Sequence, residues 1–288
     1  MPSTMNVKPR QHHTKINGVE IAWAEWGRKG DPAVLLSHAT GLHARCWDEV
    51  AAHLENCHVI AADHRGHGRS GKTPPYGWEQ FGADLTDLIV HLDLDDFTGV
   101  GHSMGGHSLV IAAARQPDRF RQLILFDPVI FEPDRYAAPP DMSEIEHPVA
   151  RRRNSWTSPE QMFESFRDRK PFSRWDAQVL RDYCEHGLVR DGDDYKLACP
   201  PEVEAGIYAS SMACDIYDEV ALVAVPVTVI RAESLGFDAG LHDFSLSPTW
   251  PELAGRFPHG RDVYIPEWSH FLPQENPELA ASMITAEL

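Results

Sequence analysis

At 288 residues the chain is long enough for one large core or for a core domain carrying an insertion, and its 42% apolar and 24% charged residues are ordinary for a globular protein. The formal charge of −17 repels phosphate backbones and anionic lipid, which sets aside nucleic acid and membrane surfaces as partners. No apolar run approaches the ~20 residues needed to cross a bilayer.

The first residues, "MPSTMNVKPRQHHTKING", are polar and contain no apolar stretch of signal-peptide type, so the expected location is the cytoplasm. "HTKI" (13–16) and "VEIAWAEWG" (19–27) predict a hairpin through the turn "NG". "AVLLSH" (33–38) and "HVIAAD" (58–63) are short apolar runs of buried-strand type. "WEQFGADLTDLIVHLD" (78–93) has helical periodicity, with Phe81, Leu85, Leu88, Ile89 and Leu92 on one side. Strands follow at 97–103, 122–127, 227–232 and 262–267, with helices at 104–116 and 276–287. Strands buried on both faces and separated by helices imply a mainly parallel sheet covered on both sides. Residues 132–222 interrupt that alternation with helical segments and no convincing strand. The expected organisation is a core of residues 1–131 and 223–288 with a helical cap, 132–222, inserted over the sheet edge.

The five cysteines (46, 57, 184, 199 and 214) are scattered, odd in number and without a C-x-x-C pair, which reads as reduced, buried thiols. Sixteen histidines raise the question of a metal, but neither His64 with His67 nor His38 with His43 has a zinc-ligand spacing. They read as loop and surface histidines, and no metal is assigned.

"GHSMG" (101–105) places a serine between two glycines at a strand-to-helix junction, the pattern G-x-S-x-G. A sharp turn there strains the backbone at Ser103 and projects its hydroxyl at the carboxyl end of the sheet, where the free N–H groups of the next helix favour a negative oxygen. Three further motifs stand in order around it: "SHATG" (37–41), "DHRGHGRS" (63–70) and "EWSHFLPQENPE" (267–278). Together they resemble the α/β-hydrolase superfamily over nearly the whole chain. One departure is Ala39, where that family usually has glycine.

The resemblance implies an α/β fold with a mostly parallel eight-stranded sheet. It implies Ser103 as nucleophile, His270 as base, and the N–H groups of Thr40 and Met104 as oxyanion hole. His102 competes by proximity, but side chains alternate along a strand end, so it is expected to pack beside the turn, facing away. The acid departs from the commonest pattern, since "RAESLG" has Leu235 at the usual acid position, with Glu233 and Asp238 displaced nearby. Some members carry the acid one strand earlier, at the end of "LILFDP". Neighbouring strands lie ~4.8 Å apart, so Asp127 there reaches the same imidazole. Asp127 is preferred, with Glu233 and then Asp238 as alternatives.

The implied reaction is hydrolysis of a moderately apolar ester or lactone, without metal or organic cofactor. Carbon–carbon bond hydrolysis, cofactor-free perhydrolysis and a ligand-binding receptor with little turnover are the alternatives. Aromatics of the cap, Trp156, Phe163, Phe166, Trp175, Tyr183 and Tyr208, are candidates for lining the substrate cleft. "RRR" (151–153) reads as a solvated helix face, with a substrate carboxylate as its other possible partner. Oligomeric state is not legible.

Overall fold

A computed structural model describes residues 8–137, 147–234 and 246–288. Five strands, β1 (Arg10–Ile16), β2 (Val19–Trp26), β3 (Ala33–Ser37), β4 (His58–Ala62) and β5 (Phe97–His102), precede the serine, with helices α1 (Asp48–His53) and α2 (Trp78–His91) between them. Helix α3 (Met104–Arg115) and strand β6 (Phe120–Phe126) follow it. The chain then runs through α4 (Pro133–Ala137), α5 (Pro159–Phe166), α6 (Ala177–His186), a hairpin of β7 (Leu188–Asp191) and β8 (Asp194–Leu197), α7 (Pro201–Ala209) and α8 (Tyr217–Leu222). It returns to the sheet with β9 (Val227–Arg231) and β10 (Gly260–Tyr264) and ends in α9 (Leu272–Glu275) and α10 (Pro277–Thr285).

The large sheet has eight strands in the order β1-β2-β4-β3-β5-β6-β9-β10. The pairs β1–β2 and β2–β4 are antiparallel and all later pairs are parallel. Alternation along each strand builds two cores. Leu35, Leu123 and Leu125 face α2, α3 and α8, whereas Val34, Leu36, Ile124 and Phe126 face α1 and α10. The chain leaves β3 toward β4 on one side and later enters β5 on the other. The loops after β3 and β5 therefore diverge, which opens a crevice at the carboxyl ends of these strands, where open α/β sheets bind ligands.

Residues 133–222 differ from the all-helical expectation by the antiparallel pair of β7 and β8. Both strands are four residues long and half exposed, too short for their periodicity to stand out; the cue was the Gly192–Asp193 turn between them. Two apolar clusters fasten this segment to the core: Trp156, Trp175 and Tyr183 pack with Ala39, Leu42 and Phe271, and Ile207 and Met212 pack with Met104 and Val129. None of the five cysteines is in a disulfide, and all but Cys214 are buried. Among the described residues no helix is long and apolar enough to cross a membrane.

Candidate active site

Ser103 occupies the step from β5 into α3 with φ 57° and ψ −118°, a conformation that costs a residue bearing a side chain of order 1–3 kcal/mol. The turn is held by Ser103 N–H donating to the Phe126 carbonyl (3.0 Å) and by its own carbonyl accepting from Gly106 (3.0 Å) and His107 (3.2 Å). Gly105 is required by close approach, since a Cβ there would lie 2.1 Å from the Ser37 carbonyl oxygen. The first turn of α3 is thereby pressed against the end of β3, directly below the loop 38–41.

That loop is pinned from beneath by His38. Its Nδ1–H donates to the Ala39 carbonyl (2.8 Å), which leaves Nε2 to accept from the backbone N–H of His64 (3.0 Å). His38, His64 and His67 are buried together, and burial pushes all three well toward the neutral form. They are structural rather than the solvated histidines expected. Thr40 is buried, and its hydroxyl donates to Met104 Sδ (3.4 Å), so the two residues expected to supply the oxyanion hole are in contact.

The turn 63–70 braces the same rim. Asp63 accepts from the backbone N–H groups of Ala44 and Arg69 (2.7 Å each). Arg65 makes a buried, two-pronged ion pair with Asp84, its Nη2 donating at 2.7 Å. Every member of this motif is spent on structure.

Asp127 follows β6 and is itself at positive φ, 47°. Its side chain is buried and accepts at both oxygens. Oδ2 takes the Nδ1–H of His270 (3.1 Å) and Oδ1 takes the Ser247 hydroxyl, while the Thr249 hydroxyl, 3.3 Å from Oδ1, donates to the Pro128 carbonyl at 2.7 Å. A carboxylate engaged at both oxygens is held in one orientation. Ser247 and Thr249 were missed in the sequence: "SLSPTW" has no periodicity, and only tertiary contact reveals their partner. Glu233, by contrast, is exposed at the end of the neighbouring β9 and accepts from the Tyr264 hydroxyl. Asp238 lies outside the described residues.

His102 is packed beside the turn, as expected. Its ring is buried 4.9 Å from that of His270, and its Nε2–H donates to the His270 carbonyl (2.8 Å). Burial, with the neighbouring His270 ring, holds His102 well toward neutrality, so it acts as a strut for the loop that carries His270.

Of the aromatic candidates, Trp156, Phe163, Trp175 and Tyr183 are at most 8% exposed and form the inserted segment's own core, whereas Phe166 and Tyr208 keep open surface. For Trp156 and Phe163 this replaces the expected lining role: the first is 1% exposed with Arg153 over its ring (4.0 Å), and the second lies beneath Arg181 (3.8 Å). The expected helix face at 151–153 also needs correction. Arg151 and Arg153 are exposed, but Arg152 turns inward. Away from the serine, Asp48, Asp182 and His186 bring possible ligand atoms within 4.8 Å of one another, but Arg45 already neutralises Asp48.

A model of the alpha/beta hydrolase family matches residues 34–282. The chain belongs to that family. It is 38% identical to a non-heme chloroperoxidase of Kitasatospora aureofaciens over 131 residues, which are 42% of this chain and 46% of that one. It is 36% identical to 3-oxoadipate enol-lactonase 2 of Acinetobacter baylyi over 110 residues, 37% of this chain and 41% of the relative. The chain thus spans less than half the length of these curated relatives. Among solved structures it is similar to an E-2-(acetamidomethylene)succinate hydrolase (TM-score 0.76, 21% identity, covering 96% of this chain and 98% of the other). It is also similar to the enol-lactonase of Burkholderia xenovorans (TM-score 0.67, 22% identity, 96% and 99%). At these identities the structural likeness speaks for the fold alone.

Proposed function

We infer that the protein is a serine hydrolase that cleaves a carboxylic ester or lactone of a small molecule through an acyl-enzyme, with Ser103, His270 and Asp127 as its triad. The observation that carries this reading is the buried His270–Asp127 hydrogen bond at the rim where β5 delivers Ser103 at positive φ. Because Nδ1–H is committed to Asp127, Nε2 is the nitrogen left to act as base. It takes the Ser103 proton as Oγ attacks the carbonyl carbon, and Asp127 steadies the imidazolium that forms. The N–H groups of Met104 and Thr40 receive the oxyanion, aided by the amino end of α3. His270 then protonates the leaving alcohol, and water repeats the cycle to release the acid. Residues 132–222 act as the cap over this rim, and Phe166 and Tyr208 are its contributions to the cleft. The likeness to an enol-lactonase supports hydrolysis at an acyl carbon.

A panel of p-nitrophenyl esters and lactones tests the reading, with turnover by the wild type and none by Ser103→Ala. Turnover undiminished in that variant would overturn it. The likeness to non-heme haloperoxidases favours one second reading, perhydrolysis on the same triad. Peroxide-dependent halogenation of monochlorodimedone in a carboxylate buffer checks it.

A further inference from the structure

The three consecutive arginines occupy two environments. Arg153 lies across the Trp156 ring and donates to Gln161 (2.7 Å) at the surface. The side chain of Arg152 is only 17% exposed; Nη1 donates to Glu204 Oε2 (2.8 Å) and Nη2 to the Tyr183 hydroxyl (2.9 Å). Burial opposes the charge on Arg152, and Tyr183 and Glu204 beside it more than offset that. Among the described residues, its Nε–H and one hydrogen on each terminal nitrogen have no hydrogen-bond acceptor.

This group borders the elements that carry the candidate triad. Glu204 leans on the loop expected to supply the oxyanion hole: a Cβ on Gly41 would come within 2.4 Å of Glu204 Oε1. Trp175 and Tyr183 pack in one cluster with Ala39 and with Phe271, the residue after His270. Ile207 of α7 packs in another with Met104, the residue after Ser103. Arg152 bridges Tyr183 of α6 and Glu204 of α7, so the ion pair ties the two helices together beside that loop. Stability does not account for it, because a buried pair of this kind is usually matched or bettered by apolar side chains of the same volume.

We propose that Arg152 anchors a carboxylate subsite, so that the substrate is an ester or lactone carrying a free carboxylate beside its scissile carbonyl. This rests on Ser103 as nucleophile. The guanidinium offers paired N–H donors to a planar carboxylate, while Glu204 and Tyr183 fix its plane from behind. Because Glu204 already balances the guanidinium's single charge, the subsite holds a carboxylate through its remaining N–H donors rather than through net charge, which disfavours a phosphate dianion. The subsite thereby narrows the moderately apolar substrate expected from the sequence to an acidic one.

Two measurements test this. In Ser103→Ala, which cannot turn substrate over, titration calorimetry compares glutarate with its neutral diamide. Glutarate is expected to bind about tenfold or more tighter, with the preference lost in Arg152→Gln and reduced in Arg152→Lys, which keeps charge but not the fork. In the otherwise wild-type enzyme, the ratio of kcat/KM for mono-p-nitrophenyl glutarate over p-nitrophenyl butyrate should fall about ten- to hundredfold in Arg152→Gln. Equal binding of glutarate and diamide would overturn the proposal without any arginine variant, as would an unchanged ratio in a folded Arg152→Gln. Carboxylate binding in the absence of any ester turnover would instead fault the hydrolase reading and leave the subsite standing.

Discussion

The tips of β6 and β9 are neighbours in one sheet, paired at Phe126 and Ile230, and each is followed within a few residues by a carboxylate. Asp127, after β6, is enclosed and accepts from His270 at one oxygen and Ser247 at the other. Glu233, after β9, is exposed and among the described residues accepts from one side chain, the hydroxyl of Tyr264. What separates them is enclosure rather than residue type or position along a strand. A carboxylate can steady an imidazolium strongly only where water does not screen it and where donors hold it in place. The rim of this sheet offers that at one strand and not at the next.

Predictions follow the same contrast from its largest effect downward. Removing the nucleophile tests whether the rim has any chemistry at all: Ser103→Ala should lower kcat by about 10⁴-fold or more in a steady-state ester assay. Asp127→Asn should cost about 10³- to 10⁴-fold in kcat with KM little changed, while Glu233→Gln stays within about twofold. A reversal of those two results would move the acid to β9. Ser247→Ala probes the shell around Asp127. It leaves Oδ1 with the longer Thr249 contact, so we expect a fall of about three- to tenfold in kcat and about 1–2 kcal/mol of stability lost in urea unfolding. An unchanged kcat would mean that Asp127 needs no such holding.

Asp182 supplies a third carboxylate, buried beside Asp48, and among the described residues its side chain accepts from Gln178 alone. Burial first, and then the Asp48 charge, pushes its carboxyl up to about 7. The folded state therefore binds more protons than the unfolded chain between pH about 4 and about 7, and this group's contribution to stability falls as pH rises through that window. Asp182→Asn should flatten the decline, measured as Tm against pH. An unaltered profile would show that burial without cationic partners is no handicap here, and would weaken the contrast drawn at the rim.

Much of this was legible in the sequence because the physics is local. Short apolar runs such as 33–36 and 59–62, too short for a helix, read as strands covered on both faces. A glycine-flanked serine between strand and helix announces its own turn. The rest depends on what arrives from elsewhere in the chain. The β7–β8 hairpin is too short and too exposed to show alternation amid helical periodicity. Arg152 is indistinguishable from Arg151 and Arg153 until the chain folds and only one faces Glu204. Ser247 and Thr249 sit about 120 positions from Asp127, and nothing in their own neighbourhood marks them.

The central claim is that His270, oriented by Asp127, activates Ser103. Covalent labelling with a fluorophosphonate, followed by peptide mass spectrometry and timed in each variant, measures that activation without assuming any substrate. The account predicts a single adduct on Ser103 that forms rapidly in the wild type and in Glu233→Gln and at least a hundredfold more slowly in His270→Ala and Asp127→Asn. An adduct on another residue, or equal rates in wild type and His270→Ala, would contradict it.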